Sequence, residues 1–156
     1  MNEKEVEKLY RKGTKLAEKR LKSKGATDNV ELDTLCRKEF KDRFLGVFSQ
    51  DTIPWEELNK KESCCIFNLD LKGEPGSHWC ALYTSPDEKY PILYDSFGRR
   101  PRILLRRTKD KRCTKKVLTT ESDAEQDPSE ENCGHRCFGF LYMCRKVQTA
   151  ESIFLL

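Results

Sequence analysis

Apolar positions along this chain change period twice. Between residues 3 and 23, Val6, Leu9, Tyr10, Leu16, Ala17 and Leu21 recur among charged residues at roughly helical spacing. Gly13 interrupts the stripe without ending it, so the segment predicts a helix. A second helix is better marked: Asp28 or Asn29 can cap it, and Leu32, Leu35, Cys36 and Phe40 form one stripe. The middle of the chain shortens to strand-length runs, Ser63 to Asp70, His78 to Ser85 and Tyr90 to Asp95. Two turn signals separate them, Lys72-Gly73-Glu74-Pro75-Gly76 and Ser85-Pro86-Asp87-Glu88-Lys89. The second and third runs predict a hairpin, because strands adjacent in sequence usually pair. Residues 101–110 predict a short basic helix and 115–119 a further strand. From Cys133 to Val147 the helical period returns with Cys137, Phe138, Leu141 and Cys144, which predicts a buried helix. Helices, a small sheet and a core helix in that order give an α+β class.

The chain has 156 residues, the length of one domain. No internal repeat and no Gly/Ser- or Pro-rich linker divides it. Charged residues make up 36% and the mean hydropathy is −0.78, but eight Phe, five Tyr and two Trp suffice for a core. Such aromatic content argues against disorder. No apolar run approaches the ~20 residues needed to cross a bilayer, and Met1 to Glu5 carries no apolar export signal. The expectation is a protein that is neither membrane-embedded nor secreted.

Net charge is +4, unevenly distributed. Residues 99–116 hold ten bases and one acid, 11–24 hold seven bases and one acid, and 121–131 hold six acids and no base. Such blocks are either solvated faces or contacts to a polyanion such as DNA. There are eight cysteines. Without an export signal they argue for a reducing compartment and buried thiols, not a disulfide framework. Only Cys133 and Cys137 have paired metal-ligand spacing, and a structural zinc site wants two such pairs, so no metal is expected. The adjacent Cys64 and Cys65 suit opposite faces of a strand.

Two histidines limit the choice of a base for any cysteine nucleophile. His135 lies two residues after Cys133, about 200° around a helix, and faces away from that thiol. His78 sits at a loop-to-strand junction, where a sheet can aim it at a cleft. A hairpin turning near residue 87 brings His78 near Asp95, which can orient the imidazole. Alternatively Asp95 only starts the turn Asp95-Ser96-Phe97-Gly98. Cys133 opens a predicted helix, where the dipole favours a thiolate and first-turn N–H groups can bind an oxyanion. Gly134 leaves room for a substrate backbone. Gln126 can reach the same oxyanion, while Glu130 and Glu131 oppose the thiolate through solvent.

Three motifs in this order, Gly76-Ser77-His78-Trp79, Tyr94-Asp95-Ser96-Phe97-Gly98 and Gln126-x6-Cys133-Gly134-x2-Cys137, resemble the adenovirus-type maturation proteases. Their clan includes ubiquitin-like-protein-specific proteases and the proteases of polintons and virophages. The step of 17 residues from His78 to Asp95 and of seven from Gln126 to Cys133 match. Phe44-Leu45-Gly46-Val47-Phe48 with Asp51-Thr52-Ile53-Pro54 resembles their lead-in. The resemblance covers roughly residues 29–147.

It implies a papain-like α+β fold in which a small mixed sheet packs on a central nucleophile helix. It divides the chain into a basic N-terminal helix or extension, 1–28, and a cysteine protease domain, 29–156. His78 would be the general base, Asp95 its orienting acid, Cys133 the nucleophile, and Gln126 with the Cys133 N–H the oxyanion hole. Trp79 and Gly134 would line the substrate side. No cofactor is needed for the chemistry. The resemblance also implies activators: a capsid-protein peptide bonded through Cys113, and DNA along Arg99, Arg100, Arg102, Arg106, Arg107, Lys109, Lys111 and Arg112. The implied substrates are capsid and core precursors, cut by a monomeric enzyme in the virion or the host nucleus or cytoplasm. The alternatives are a deconjugating protease for ubiquitin-like modifiers, an acetyltransferase on the same fold, and an inactive DNA-binding relative.

Overall fold

The computed structural model describes residues 1–22, 28–60, 62–71, 73, 78–108, 116–120 and 132–156. Gln126, Cys113, Lys109, Lys111, Arg112, Gly76, Ser77 and the acidic run 121–131 lie outside the described residues. The elements in chain order are α1 (Glu3–Arg20), α2 (Asn29–Phe40), β1 (Phe44–Ser49), α3 (Trp55–Leu58), β2 (Cys64–Asn68) and β3 (Trp79–Tyr83). Then follow β4 (Ile92–Tyr94), α4 (Pro101–Leu104), β5 (Leu118–Thr119), α5 (Cys133–Val147) and α6 (Ala150–Ile153). No described helix is long and apolar enough to cross a membrane.

The strands form one mixed sheet in the order β1-β2-β3-β4-β5, with parallel outer pairs and antiparallel inner ones. Alternation along each strand sorts side chains onto two faces. Cys64, Ile66, Trp79, Ala81, Tyr83, Ile92 and Tyr94 share a core with α1, α2 and α5. Cys65, Phe67, Cys80, Leu82 and Leu93 share another with Ile53, Leu58, Leu104 and Leu105. Both faces are covered, which explains why these strands read as continuous apolar runs. Cys64 and Cys65 do point to opposite faces.

Helix ends follow local chemistry. Asn2 and Glu5 form a capping box at the start of α1, and Asp28 accepts from the Glu31 N–H at the start of α2. α5 is buried from Cys133 to Cys144 apart from Arg136, because the sheet covers one side and α1 the other. At that crossing Gly13 lies against Gly139: a Cβ on Gly13 would come within 2.9 Å of the Gly139 Cα. The glycine that interrupts the α1 pattern thus lets two backbones touch. α1, read from sequence as a helix or extension outside residues 29–156, contributes Val6, Tyr10 and Ala17 to the same core as Phe138 and Met143.

Of the 101–110 segment, the described residues 101–108 are helical over Pro101–Leu104. Thr108 N–H and Oγ1 both close on the Leu105 carbonyl, while Leu104 and Leu105 are drawn into the second core. The strand expected over 115–119 is short, Leu118–Thr119. β1, α3 and α6 carried no sequence expectation.

Candidate active site

The β3–β4 hairpin pairs Ala81 with Tyr94, Leu82 with Leu93 and Tyr83 with Ile92. Continuing that count past the strand ends sets Cys80 opposite Asp95 and His78 opposite Phe97. The side chains follow: Cys80 Sγ lies 4.0 Å from Asp95 Oδ1, and the His78 and Phe97 rings stack at 4.9 Å. His78 Nε2 meets Asp95 Oδ1 at 2.6 Å, with both groups buried. Asp95 also begins the turn read as its alternative role, since the Gly98 N–H donates to the Asp95 carbonyl at 2.9 Å. Gly98 adopts φ +68°, which favours glycine, and the chain then returns beneath the carboxylate. There the Arg99 N–H and Nε donate to Asp95 Oδ2 at 2.9 and 3.0 Å.

The third group arrives from α5. Cys133 is its first residue, and its sulfur accepts from the Trp79 N–H at 3.5 Å. The Cys133 thiol also hydrogen-bonds the His78 side chain. His78, Asp95 and Cys133 therefore converge across 54 residues of separation between Trp79 and Cys133. His135 is wholly buried on α5 and has no place in this cluster.

Among the described cysteines, electrostatics single out one thiol. Burial pushes Cys133 up, but the bond and charge of His78 and the N–H groups of Trp79 and Gly134 bring it below its ordinary value. Burial raises Cys36, Cys64, Cys65, Cys80, Cys137 and Cys144, Cys64 to about 12. Burial lowers His78, yet its bonds to Asp95 and Cys133 leave it above its ordinary value. Burial raises Asp95, but His78 and Arg99 hold it at about 2. Each shift favours a thiolate beside an imidazolium oriented by a carboxylate.

The N-terminus of α5 suits an anion. Its first turn carries no acid, and Asn132 makes no side-chain cap. First-turn N–H groups have no intrahelical acceptor. His78, Cys80 and Asp95 place three metal-binding atoms within 4.8 Å of one another. Cys80 is held protonated by burial and the Asp95 charge, and Asp95 already accepts from His78 and Arg99, so the cluster is arranged as a hydrogen-bond network.

Trp79 and Gly134, expected on the substrate side, both lie against the His78–Cys133 pair. Trp79 is buried beside His78 and supplies its backbone N–H to the sulfur; Gly134 is buried next to Cys133. The basic residues expected along DNA divide. Arg100, Arg102 and Arg106 are exposed. Arg107 lies 4.0 Å from Asp70, and Arg99 belongs to Asp95. Sequence reasoning missed Arg99 as a partner of Asp95 and Phe97 as the surface under the imidazole. The turn Asp95-Ser96-Phe97-Gly98 carried both signals, since a tight turn returns the residue after it to the one that opened it. No protein-family model and no curated protein sequence matches the chain.

Proposed function

We propose that this chain is a cysteine endopeptidase of the adenovirus-maturation type, with a papain-like arrangement of helix and sheet. One observation carries the reading. Among the described cysteines, the single thiol shifted toward the thiolate opens a helix and hydrogen-bonds a histidine that is itself held by a buried carboxylate.

In this mechanism the Cys133 thiolate attacks the scissile carbonyl, forming a C–S bond and an oxyanion. The N–H groups at the start of α5 receive the oxyanion, and the resemblance adds Gln126. The C–N bond breaks as His78 delivers its proton to the leaving amine. His78 then takes a proton from water, whose oxygen attacks the thioester, and the thiolate departs. Asp95 stays ionised throughout and holds the ring.

The substrates in this reading are capsid and core precursor proteins, and DNA or a capsid-derived peptide is the activator. Small-x-Gly peptides of the capsid type are the matching test substrate. Cleavage of such a peptide by the wild type, lost in Cys133→Ala, is the expected result. Cleavage only of a Gly-Gly-linked modifier would move the reading to the deconjugating branch. No cleavage of either, together with salt-dependent DNA binding unchanged in Cys133→Ala, would replace it with the inactive relative.

A further inference from the structure

Behind the His78–Cys133 contact lies a second connection between the same two parts of the chain, and it runs through α1. The Tyr10 hydroxyl meets the Tyr94 hydroxyl at 2.6 Å and accepts from Arg136 Nη1 at 3.2 Å. Tyr94 is the residue before Asp95. Arg136 donates through Nε to Asn132 Oδ1 at 3.1 Å, and Asn132 is the residue before Cys133. The contacts close a ring: Cys133, Asn132, Arg136, Tyr10, Tyr94, Asp95, His78 and back to the sulfur.

Packing makes this ring firm. Tyr10 is 3% exposed and Tyr94 is fully buried. Their rings meet edge-on at 6.0 Å, and Phe140 of α5 stacks on Tyr94 at 4.5 Å and 7°. The Gly13–Gly139 contact brings α1 close enough to α5 for the phenol of Tyr10 to reach both neighbours. A hydroxyl in that position fixes how far the start of α5 stands from the end of β4.

We infer that Tyr10 is a positioning residue, which sets the placement of Cys133 relative to the His78–Asp95 pair. It touches none of the reacting atoms. The N-terminal helix is thereby part of the working site and not an appendage to it. This inference rests on the cysteine-enzyme reading above, because it concerns the geometry that activates the Cys133 thiol.

The test follows Cys133 alkylation by iodoacetamide as a function of pH, in the full chain, with the labelled peptide quantified by mass spectrometry. Four variants are compared with wild type. Tyr10→Phe keeps the ring and removes the hydroxyl. Arg136→Lys keeps the charge and removes the planar fork. Ala17→Gly loosens the same helix without a polar group near the site. His78→Ala removes the activating base. Thermal unfolding establishes that each variant is folded.

Tyr10→Phe is expected to slow alkylation at neutral pH about three- to tenfold, the scale of one lost hydrogen bond, and to move the midpoint of the profile upward. Arg136→Lys should do the same, and the double variant should add little to either. Ala17→Gly should lower the unfolding temperature and leave the profile in place. A Tyr10→Phe profile identical to wild type, with His78→Ala shifted, overturns the role of Tyr10 and leaves the enzyme reading standing. An Ala17→Gly shift as large as that of Tyr10→Phe also overturns it, since loosening alone would suffice. A His78→Ala profile equal to wild type overturns the enzyme reading, and the positioning role with it.

Discussion

Arg99 holds the oxygen of Asp95 that His78 leaves unused. Its backbone N–H and Nε donate to Oδ2 at 2.9 and 3.0 Å, while Oδ1 meets His78 Nε2 at 2.6 Å. The carboxylate cannot rotate without losing contacts on both sides. Its depressed pKa is the electrostatic counterpart of that clamp, and the clamp also fixes the orientation of the imidazole.

The clamp makes a prediction about acid stability. Asp95 titrates at about 2 in the folded protein against an ordinary 3.8. A depressed acid contributes stability that is complete above its unfolded pKa and is lost as pH falls through the folded value. Arg99→Gln keeps the backbone N–H but removes the guanidinium, which is partly exposed. It should cost about 1 kcal/mol at pH 6, and the difference from wild type should shrink towards pH 2. Urea unfolding at both pH values checks this; an equal cost at each would mean that Arg99 acts through packing and not through the Asp95 charge.

The His78–Cys133 pair predicts two different pH profiles. Alkylation needs only the thiolate, so its rate should rise once with pH, at a midpoint below the ordinary cysteine value, and then stay level. Peptide hydrolysis also needs a protonated His78, so it should rise and then fall as pH passes the elevated His78 pKa. A hydrolysis rate that keeps climbing alongside alkylation would remove His78 from the acid role.

Burial predicts which thiols stay silent. Cys36, Cys64, Cys65, Cys80, Cys137 and Cys144 are raised by desolvation and lie in the cores. Native alkylation should modify Cys133 ahead of all six, and these should react only in denaturant. Cys133→Ser should fold normally and lose about 10³-fold or more of the hydrolysis. Peptide mapping that finds Cys80 or Cys64 labelled first in native protein would contradict this assignment.

The helix crossing predicts a steric cost. A Cβ on Gly139 would fall on Thr14 Oγ1 and lie 2.9 Å from both the Thr14 nitrogen and the Tyr10 carbonyl oxygen. Two of those three atoms are backbone and cannot move aside alone. Gly139→Ala should therefore destabilise by about 1–3 kcal/mol despite the better helix propensity of alanine. Chemical denaturation measures it, and a gain in stability would show that α1 is held less closely than the structure has it.

Several elements were legible because their periods are strong and local. The helix from Cys133 to Val147 reads directly, since its apolar stripe is long and its neighbours are polar. The hairpin is legible for the same reason: two apolar runs flank a Pro-Asp turn, and counting outward from it brings His78 into the neighbourhood of Asp95, although the actual register sets Cys80 opposite Asp95 and the imidazole reaches the carboxylate from two residues away. β1 was hidden by Gly46 and by a register shift between Phe44 and Val47, which break the alternation. α3 and α6 are single turns, too short for any period to show. The block of ten bases gave no sign that Arg99 differs from the rest, because charge composition says nothing of which cation a turn folds back onto a carboxylate.

Order along the chain and local pattern determined the α+β class, the hairpin that brings His78 to Asp95 and the helix that starts at Cys133, since each depends on neighbours within a few residues. Only the tertiary structure decided that the sulfur meets the imidazole, that six other thiols are silenced, and that α1 closes on α5 through Gly13 and Gly139. Those outcomes depend on desolvation and on contacts between residues dozens of positions apart, and such contacts exist only once the chain has packed.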